Sequence, residues 1–518
     1  MSRVGHAHAI DAATGQAQSC ASKRTRHFRP GHHAEADATT KPKGEVRMKS
    51  RRFTRIIAMT LFALAIPVAV TAQNNAVQEK HTKHHQYKVV DLGTFGGPGS
   101  EGAGQSRTLN PHGVVVGGAD TPNANPNPGC STPYFPDCFV QHAFQFRHGT
   151  LTDLGTLPGG INSFSFGINA NGWVVGVSEN GVTDPVLGIP EYDAVLWRNG
   201  QIKNLGILGG NESLATDVND RGQVVGFAAN AVPDPVSMAG WATETRPFLW
   251  EHGVMRDLDT LGGSDGMAFT INERGQIMGQ YYVKSTTTID PIFWDEDGTA
   301  VDLGTFGGTF GTTYWINNRG QVVGYSNLPG DATHHGFVWD RGTFTDLGTL
   351  GGDLSEAYGI NDDGLVTGRA DMPGSLAHHG FLWRDGVMTD LGVINNDPCS
   401  TGTSINSSGQ IVGDAGVCFV GGDAWLWEND GPMVDLNTLA LPGSGLHLAD
   451  AIMINDRGEI VCAGVLPSGV RHAVLLIPVD KDKEDDSANR GAAPIPSLAP
   501  SYRPNATQRP WQTRSPRR

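Results

Sequence analysis

The chain has no long stretch in which apolar residues recur with a helical period. Its 518 residues include 69 glycines and 30 prolines, and the apolar residues stand in short runs broken by Gly, Asn and Asp. Glycine and proline are poor residues for a helix interior, whereas short apolar runs bounded by turn residues are typical of strands. The composition therefore predicts an all-β protein.

Basic side chains are scarce in the central part of the chain. Between Tyr87 and Pro478 there are 16 Lys and Arg against 43 Asp and Glu, a formal charge of −27. The whole chain carries only −15 because both ends are basic. A surface of this sign repels a phosphate backbone, so we predict no nucleic-acid partner. Cationic partners, metal ions and neutral sugars remain open.

Sequence motifs of common catalytic and metal sites are also missing. The chain has no nucleophile elbow, phosphate loop or zinc motif. The acidic turns that begin at Asp295 and Asn361 resemble calcium loops but lack the spacing and the distal Glu of an EF-hand. Ordinary turn chemistry accounts for them. We therefore predict no cofactor and no metal, with calcium as the alternative.

The chain has one long apolar run, and it lies near the start. Basic residues between Arg47 and Arg55 precede the run Ile56–Val70, and small residues then stand before Gln73. This three-part layout is typical of a secretory signal peptide, here residues 48–72. Met48 is then the expected start, and residues 1–47 are an over-long gene start. An uncleaved membrane anchor is the alternative, although the run is short and contains Pro67.

The signal peptide predicts a secreted protein, in the extracellular space, the periplasm or at the cell surface. No membrane insertion is expected after cleavage. Residues 1–47 and the Pro-rich tail 480–518 have few large apolar residues and are predicted to be disordered. Residues 73–86 are predicted to be a linker before the folded part, 87–479.

The folded part consists of eight copies of one repeat. Each copy has three landmarks in fixed order: a D-L-G element, an N-x-x-G turn and a strand of the H-A-F-L-W type. The D-L-G element begins at Asp91 and recurs every 44–45 residues in the last four intervals, with up to 62 residues in the first. A fixed period in this range is typical of a propeller or a solenoid.

Each repeat parses into four strands, a to d. Strand a ends at the N-x-x-G turn, where Asn caps the hairpin and Gly takes a positive φ. Strand b reads G-Q-V-V-G, strand c contains the H-A-F-L-W motif, and strand d ends in D-L-G. Strands b and c are apolar at nearly every position, which indicates burial on both faces. Blades packed between neighbours satisfy this requirement.

The two ends of the array complement each other. A lone d strand at Tyr87–Gly93 precedes the first complete repeat, and the last repeat stops after its c strand, His472–Val479. Pairing the two would close a ring and remove the exposed edges of an open array. We therefore predict an eight-bladed β-propeller closed by its N-terminal strand, with seven blades as the alternative.

The three landmarks together resemble the HAF-repeat family of bacterial extracellular proteins. The resemblance covers about residues 87–478 and rests on D-L-G-T-L-G-G, G-I-N-x-x-G-Q-V-V-G and H-A-F-L-W in that order. The first turn, the last c strand and the stretch after Asp390 depart from the pattern. The resemblance implies export and a repeat architecture, and it implies no particular activity.

In a four-stranded meander the d–a and b–c connections emerge on one face, the loop face, and the tight a–b and c–d turns emerge on the other, the turn face. The b–c loops of units one to three are much longer than the later ones. Long loops on a rigid scaffold are common binding sites. We predict ligand-binding residues there: Tyr134, Phe135, Glu179, Asp184, Glu191, Tyr192, Asp234 and Trp241.

The cysteines, only six in the chain, also point to the loop face. Cys130 and Cys138 lie within the first long loop, and Cys399 and Cys418 lie in a d–a loop and a b–c loop of the same unit. Each pair suits a disulfide in an exported protein. Cys462, inside a b strand, is predicted to be a buried thiol.

The recurring His of strand c invites a metal or catalytic interpretation. A position that repeats in every blade is set by the blade, and the ring holds the copies far apart, so a structural hydrogen bond is favoured. We predict a secreted binding or interaction module, a monomer, that binds a polysaccharide or a protein. An extracellular carbohydrate hydrolase or lyase, with loop carboxylates as acid and base, is one alternative, and a structural envelope or matrix component is another.

Overall fold

The computed structural model describes residues 84–479, except 105, 128–137, 285 and 287, and describes only the backbone of Gly421. Its secondary structure is almost entirely β, with thirty-two strands and one four-residue helix, α1 (Leu436–Leu439), among these residues. The predicted all-β class is confirmed. The predicted signal peptide and tail lie outside the described residues.

The described strands form eight four-stranded antiparallel sheets, arranged as blades in a ring. Seven blades take their four strands consecutively from the chain. Blade 1 consists of β2 (Ser100–Gly102), β3 (Val115–Ala124), β4 (Phe139–Arg147) and β5 (Thr150–Asp153), and blade 2 consists of β6 (Ser163–Ile168), β7 (Val174–Thr183), β8 (Pro190–Arg198) and β9 (Gln201–Asn204). Blade 3 consists of β10 (Gly209–Val218), β11 (Val224–Pro233), β12 (Thr243–Glu251) and β13 (Val254–Asp257), and blade 4 consists of β14 (Gly266–Ile271), β15 (Ile277–Tyr282), β16 (Ile289–Trp294) and β17 (Ala300–Asp302).

Blades 5 to 7 repeat the same order, a to d. Blade 5 consists of β18 (Gly311–Ile316), β19 (Val322–Asn327), β20 (His334–Asp340) and β21 (Thr343–Asp346). Blade 6 consists of β22 (Ser355–Ile360), β23 (Val366–Asp371), β24 (His378–Arg384) and β25 (Val387–Asp390). Blade 7 consists of β26 (Cys399–Ile405), β27 (Ile411–Val417), β28 (Gly421–Trp427) and β29 (Val434–Asp435).

Blade 8 closes the ring. Its strands a to c are β30 (His447–Ile454), β31 (Ile460–Val465) and β32 (Arg471–Val479), and its fourth strand is β1 (Gln86–Asp91) from the N-terminal side. Strand β1 pairs antiparallel with β32, from Gln86 opposite Val479 to Asp91 opposite Val474. The predicted eight-bladed ring and its closure are confirmed. Because β1 pairs with β32, the c strand of blade 8 has no unpaired edge, and blade 8 has the same four strands as the other blades.

The asparagine of each N-x-x-G turn also joins neighbouring blades. Its side-chain Nδ2 donates a hydrogen bond to the backbone oxygen of the equivalent asparagine in the next blade, at 2.9–3.2 Å. The eighth bond runs from Asn455 to Asn110 and completes the circle. We call this the asparagine ring; its members are Asn110, Asn169, Asn219, Asn272, Asn317, Asn361, Asn406 and Asn455.

The core lies between the blades. Strands b and c are buried on both faces, as in β19, where Val322 and Val323 are fully buried. The glycine that ends G-Q-V-V-G is required by close approach, because a Cβ on Gly324 would lie 2.0 Å from the carbonyl oxygen of Thr312 in strand a. The repeat motif therefore encodes the contact between strands a and b.

The recurring His forms the predicted structural hydrogen bond. In four blades its Nδ1 lies 2.8–2.9 Å from the D-L-G aspartate of strand d: His142–Asp153, His335–Asp346, His379–Asp390 and His472–Asp91. Blade 2 replaces this pair by Asp193 and Asn204, whose amide donates to the carboxylate at 2.5 Å. These side chains tie strand c to strand d and hold each D-L-G turn in place.

Candidate functional site

The long b–c loops of blades 2 and 3 are largely extensions of their strands. Strands β7 and β8 run to Thr183 and from Pro190, and β11 and β12 run to Pro233 and from Thr243. The connections left between them are the short tips 184–189 and 234–242. The first long loop lies mostly outside the described residues, and so do Tyr134, Phe135 and Cys130. Two rigid hairpins thus stand side by side on the loop face.

Glu179 fixes the base of the blade 2 hairpin. It is only 2% exposed, and its carboxylate accepts hydrogen bonds from the backbone N of Ile161 at 2.9 Å and from Nδ2 of Asn162 at 2.7 Å. Asn127 Nδ2 donates to it at 3.0 Å and the Tyr192 hydroxyl at 3.4 Å. Burial and the nearby charge of Glu179 raise the pKa of Tyr192. These contacts make Glu179 and Tyr192 a brace between blades 1 and 2.

Asp184 and Asp234 shape the two hairpin tips. Asp184 accepts from the backbone N of Val186 at 2.6 Å and from Asn211 Nδ2 at 2.7 Å. Asp234 accepts from the backbone N of Val236 at 2.8 Å. A carboxylate that accepts a hydrogen bond from the backbone N–H two residues later in the chain is typical of an Asx turn. Both carboxylates are buried, so they set the shape of the tips and present little charge to solvent.

The remaining two described residues of the predicted set lie on the same hairpins. Glu191 accepts a hydrogen bond from Asn180 Nδ2 at 3.1 Å across the blade 2 hairpin. The Trp241 ring stacks on Phe227, with 5.4 Å between centroids. Neighbouring Met238 is buried in a cluster with Phe164 and other side chains of inner strands. The tip of the blade 3 hairpin therefore folds back onto the inner strands of blades 2 to 4.

A pair of carboxyl groups with separated pKa values lies between the hairpins. Burial, together with the adjacent Asp184, raises the pKa of Glu212 to about 8. Burial also acts to raise the pKa of Asp184, but hydrogen bonds from Asn211 and Leu187 outweigh it and lower this pKa. A protonated acid beside a carboxylate is an arrangement used in general acid–base catalysis. Here both groups are only 2% exposed.

A second buried charge network joins strand c of blade 5 to strands a and b of blade 6. Glu356 accepts from Arg369 at 2.6 Å and lies 3.0 Å from His334 Nε2, and the Tyr358 hydroxyl also donates to it. Burial acts to raise the pKa of Glu356, but Arg369 and His334 lower it to about 2. The carboxylate is paired and hydrogen-bonded, as a buried charge requires.

Exposed apolar side chains are concentrated on the loop face. Of the thirteen large apolar side chains that are exposed among the described residues, eleven lie there. They are Val182, Val186, Ile189, Ile207, Val232, Val236, Leu261, Leu376, Val417, Phe419 and Val420. The other two, Val254 and Val387, begin d strands on the turn face. Val186 is 71% exposed and Val236 64%, at the tips of the two hairpins.

The predicted disulfide between Cys399 and Cys418 is confirmed, with the two Cα atoms 5.1 Å apart. It ties the b–c loop of blade 7 to the start of strand β26. Cys138 is also disulfide-bonded, whereas its predicted partner lies outside the described residues. Cys462 is a buried free thiol, as predicted.

A histidine lies beside this disulfide. His378 Nδ1 is 3.5 Å from Cys399 Sγ, and burial lowers its pKa to about 4. His378 and the two cysteines form the one group of three metal-ligand side chains found this close together among the described residues. Both sulfur atoms are engaged in the disulfide, so this group braces the loop.

A groove that the sequence did not predict lies on the turn face, between blades 2 and 3. It has a volume of about 680 Å³ and is lined by Trp173, Arg198, Lys203, Arg221 and Trp250, with polar Gln201 and Gln223. The sequence did carry a signal for it. Four other repeats place Gln at the position that Trp173 occupies: Gln223, Gln276, Gln321 and Gln410.

Comparison with known proteins finds similar chains among solved structures. No protein-family profile and no curated protein sequence matches it. Among solved structures, it is similar to the Dos1 propeller, with 10% identity, a TM-score of 0.39, and coverage of 76% of this chain and 95% of that one. A gluconolactonase from Xanthomonas campestris, XC5397, shares 14% identity over 45% of this chain and 79% of its own, with a TM-score of 0.25. TolB from Acinetobacter baumannii shares 9% identity over 60% of this chain and 64% of its own, with a TM-score of 0.26.

The chain is a β-propeller. Likeness at these scores carries no argument about ligand or reaction. Among the described residues, no helix has the length and apolar character needed to cross a membrane.

Proposed function

We propose that this chain is an exported interaction module whose loop face binds another protein. The observation that carries the proposal is the uneven distribution of exposed large apolar side chains in the described part of the chain, eleven on the loop face against two on the turn face. Contiguous or clustered exposed apolar surface is a mark of protein–protein sites. The hairpins that carry Val186 and Val236 are braced by buried carboxylates, so the tips are held ready for a partner.

The chemistry of the exposed residues favours a protein over a polysaccharide. Ten of the eleven are aliphatic, and Phe419, 67% exposed, is the one aromatic residue among them. Aliphatic side chains contact the apolar core of a protein interface, whereas a sugar ring is recognised by a flat aromatic face. Trp241 and Tyr192, the predicted aromatic candidates of blades 2 and 3, are engaged within the fold. Export is supported by the disulfide, which suits an oxidising compartment, and by the resemblance to the HAF-repeat family.

The hydrolase alternative has one specific observation in its favour, the Asp184–Glu212 pair with separated pKa values. Both carboxyl groups are buried under the hairpin tips. A substrate would have to displace the tip 184–189 to reach them. The pair is therefore better explained as part of the support of the hairpin, and Glu212→Gln should leave partner binding unchanged.

The test compares two double variants that have the same chemistry on opposite faces. Val186→Asp with Val236→Asp places two charges on the loop face, and Val254→Asp with Val387→Asp places two on the turn face at similar exposure. Each immobilised protein is incubated with the extracellular and envelope fraction of the producing organism, and captured proteins are quantified by mass spectrometry. We expect one or more partners to be captured by the wild type and the turn-face variant and lost from the loop-face variant.

Equal capture by both double variants would contradict the proposal, provided that both melt at the wild-type temperature. A partner lost only from the turn-face variant would move the protein site to the opposite face. Capture of a polysaccharide alone, with no protein, would support the alternative ligand class.

A further inference from the structure

The groove on the turn face is built by a departure from the repeat. In blades 3, 4, 5 and 7, the glutamine of G-Q-V-V-G accepts a hydrogen bond from the asparagine of its own turn, as Gln321 does from Asn317 at 2.8 Å. Blade 2 has Trp173 in this position. Its ring reaches blade 3 and lies so close to Gly222 that a Cβ there would come within 2.4 Å of it. The fold needs no tryptophan here, because the other blades form without one.

The groove combines two indole rings with two cations. The guanidinium of Arg198 lies 3.9 Å from the centroid of the Trp173 ring, and Nζ of Lys203 lies 4.5 Å from that of Trp250. The groove thus combines indole rings with fixed positive charge.

The charge of the groove is opposite to that of the molecule. Arg198, Lys203 and Arg221 all line it, and no described carboxylate forms an ion pair with any of the three. The one carboxylate in the lining, Glu251, is engaged by Gln223 at 2.9 Å and by Arg256 at 2.8 Å. Three uncompensated cations in a chain segment of charge −27 point to a ligand that carries negative charge.

We propose that this groove binds an oligosaccharide that contains uronic acid. The C–H faces of sugar rings pack on indole rings, and the carboxylate of a uronate accepts from guanidinium and ammonium groups. The volume lies within the range of about 300–1,000 Å³ that is typical of small-ligand sites. A long polyanion such as nucleic acid would extend beyond the groove, where the acidic surface of the protein would repel it. A short oligosaccharide confined to the groove avoids that repulsion, which salt screens over about 8 Å at physiological ionic strength.

The test is calorimetric titration of the full exported chain with trigalacturonic acid, its carboxyl-reduced trisaccharide, and triglutamate. We expect trigalacturonic acid to bind and the other two to bind at least tenfold more weakly. The reduced sugar lacks the charge, and the peptide lacks the ring faces. Raising NaCl from 0.05 to 0.5 M should weaken the uronate severalfold.

Three variants localise the site. Trp173→Gln restores the residue of the regular repeat, so the variant is expected to fold, and it should reduce uronate binding at least tenfold. Arg198→Ala should have a similar effect, because a charge-assisted hydrogen bond contributes roughly 10- to 100-fold in affinity. Arg384→Ala is the matched control, since Arg384 has the same place in the strand c of blade 6 that Arg198 has in blade 2. It should bind as the wild type does.

Equal binding of the carboxyl-reduced sugar, or of triglutamate, would overturn the uronate assignment. No measurable binding of any of the three would overturn it as well, and full binding by Trp173→Gln would overturn the location. The loop-face variant Val186→Asp with Val236→Asp should bind uronate normally, so this outcome is independent of the protein-binding proposal.

Discussion

Asn455 supplies the bond of the asparagine ring that joins blade 8 to blade 1, and replacing it tests how much this side chain stabilises the fold at the closure. Its Nδ2 donates to the Asn110 oxygen at 3.2 Å and to Glu459 at 2.8 Å. Its Oδ1 accepts from the backbone N of Arg457 and of Glu459, each at 3.0 Å. The side chain is buried. Asn455→Ala removes all four bonds.

Asn317 offers the matched reference at the middle of the chain. It makes the same four bonds, to Asn361 at 2.9 Å, to the Gln321 side chain at 2.8 Å, and from the backbone N of Arg319 and Gln321 at 3.0 and 2.9 Å. A net contribution of about 0.5–1.5 kcal/mol per hydrogen bond gives a loss of roughly 2–6 kcal/mol for either alanine variant. In a closed ring the two losses should agree within about 1 kcal/mol.

The measurement is urea unfolding followed by tryptophan fluorescence and by circular dichroism, with the midpoint and the slope m compared between variants. Ser408→Ala, in the equivalent turn of blade 7 and exposed to solvent, should cost less than about 1 kcal/mol. The reasoning fails if Asn317→Ala costs several kcal/mol while Asn455→Ala costs no more than the exposed control. That result would mean that neither the turn bonds of Asn455 nor its bond to Asn110 stabilises the fold in solution.

Three further predictions concern single side chains. Asp290→Asn should raise the melting temperature at pH 7, because an amide could donate to Asp302 as Asn204 does to Asp193. In the wild type, the buried Oδ1 of Asp290 has no hydrogen-bond partner among the described residues, and burial and Asp302 raise the pKa of Asp290 to about 6. Calorimetry that shows no rise in melting temperature would refute this. Glu212→Gln should flatten the dependence of stability on pH between about 4.5 and 8. In that window the folded wild type retains a proton on Glu212, whose pKa is raised from 4.5 to about 8, while the unfolded chain releases it, so wild-type stability falls as pH rises; equal slopes for variant and wild type would contradict the assignment. Cys399→Ser with Cys418→Ser should lower the unfolding free energy by about 3 kcal/mol, given a sequence separation of 19 residues. A reductant should lower the stability of the wild type by about this much more than that of the variant, which keeps the disulfide of Cys138.

The regular part of the fold was predictable because its sequence repeat occurs eight times in the chain. The N-x-x-G turn, the buried b and c strands and the complementary ends together predict the blades and their closure. The bond from each asparagine to the next was not predictable, because its acceptor is a backbone oxygen 44 to 59 residues away along the chain, or 345 at the closure. A turn motif specifies its own hairpin but not its neighbour.

The irregular part was located correctly but its side chains could not be assigned from sequence. Loop length alone does not show whether a carboxylate faces solvent, and Glu179 is buried because the amides of Ile161 and Asn162 converge on it. The groove shows the opposite case. Trp173 is visible in the sequence as a tryptophan at a position where four other repeats have glutamine. Loop length, on which the expectation of binding rests, gives no reason to single it out.

The pairing of Gln86 with Val479 has a consequence for how the ring is encoded. Since the first and last described strands lie side by side, a short linker could join them, and the chain could be reopened at another tight turn, such as that at Arg341 and Gly342, without losing a strand pair. The order in which the blades follow one another along the gene could therefore be circularly permuted, while each blade would keep the same two neighbours in the ring. Any such permutant would keep the groove intact as long as the cut does not separate blade 2 from blade 3.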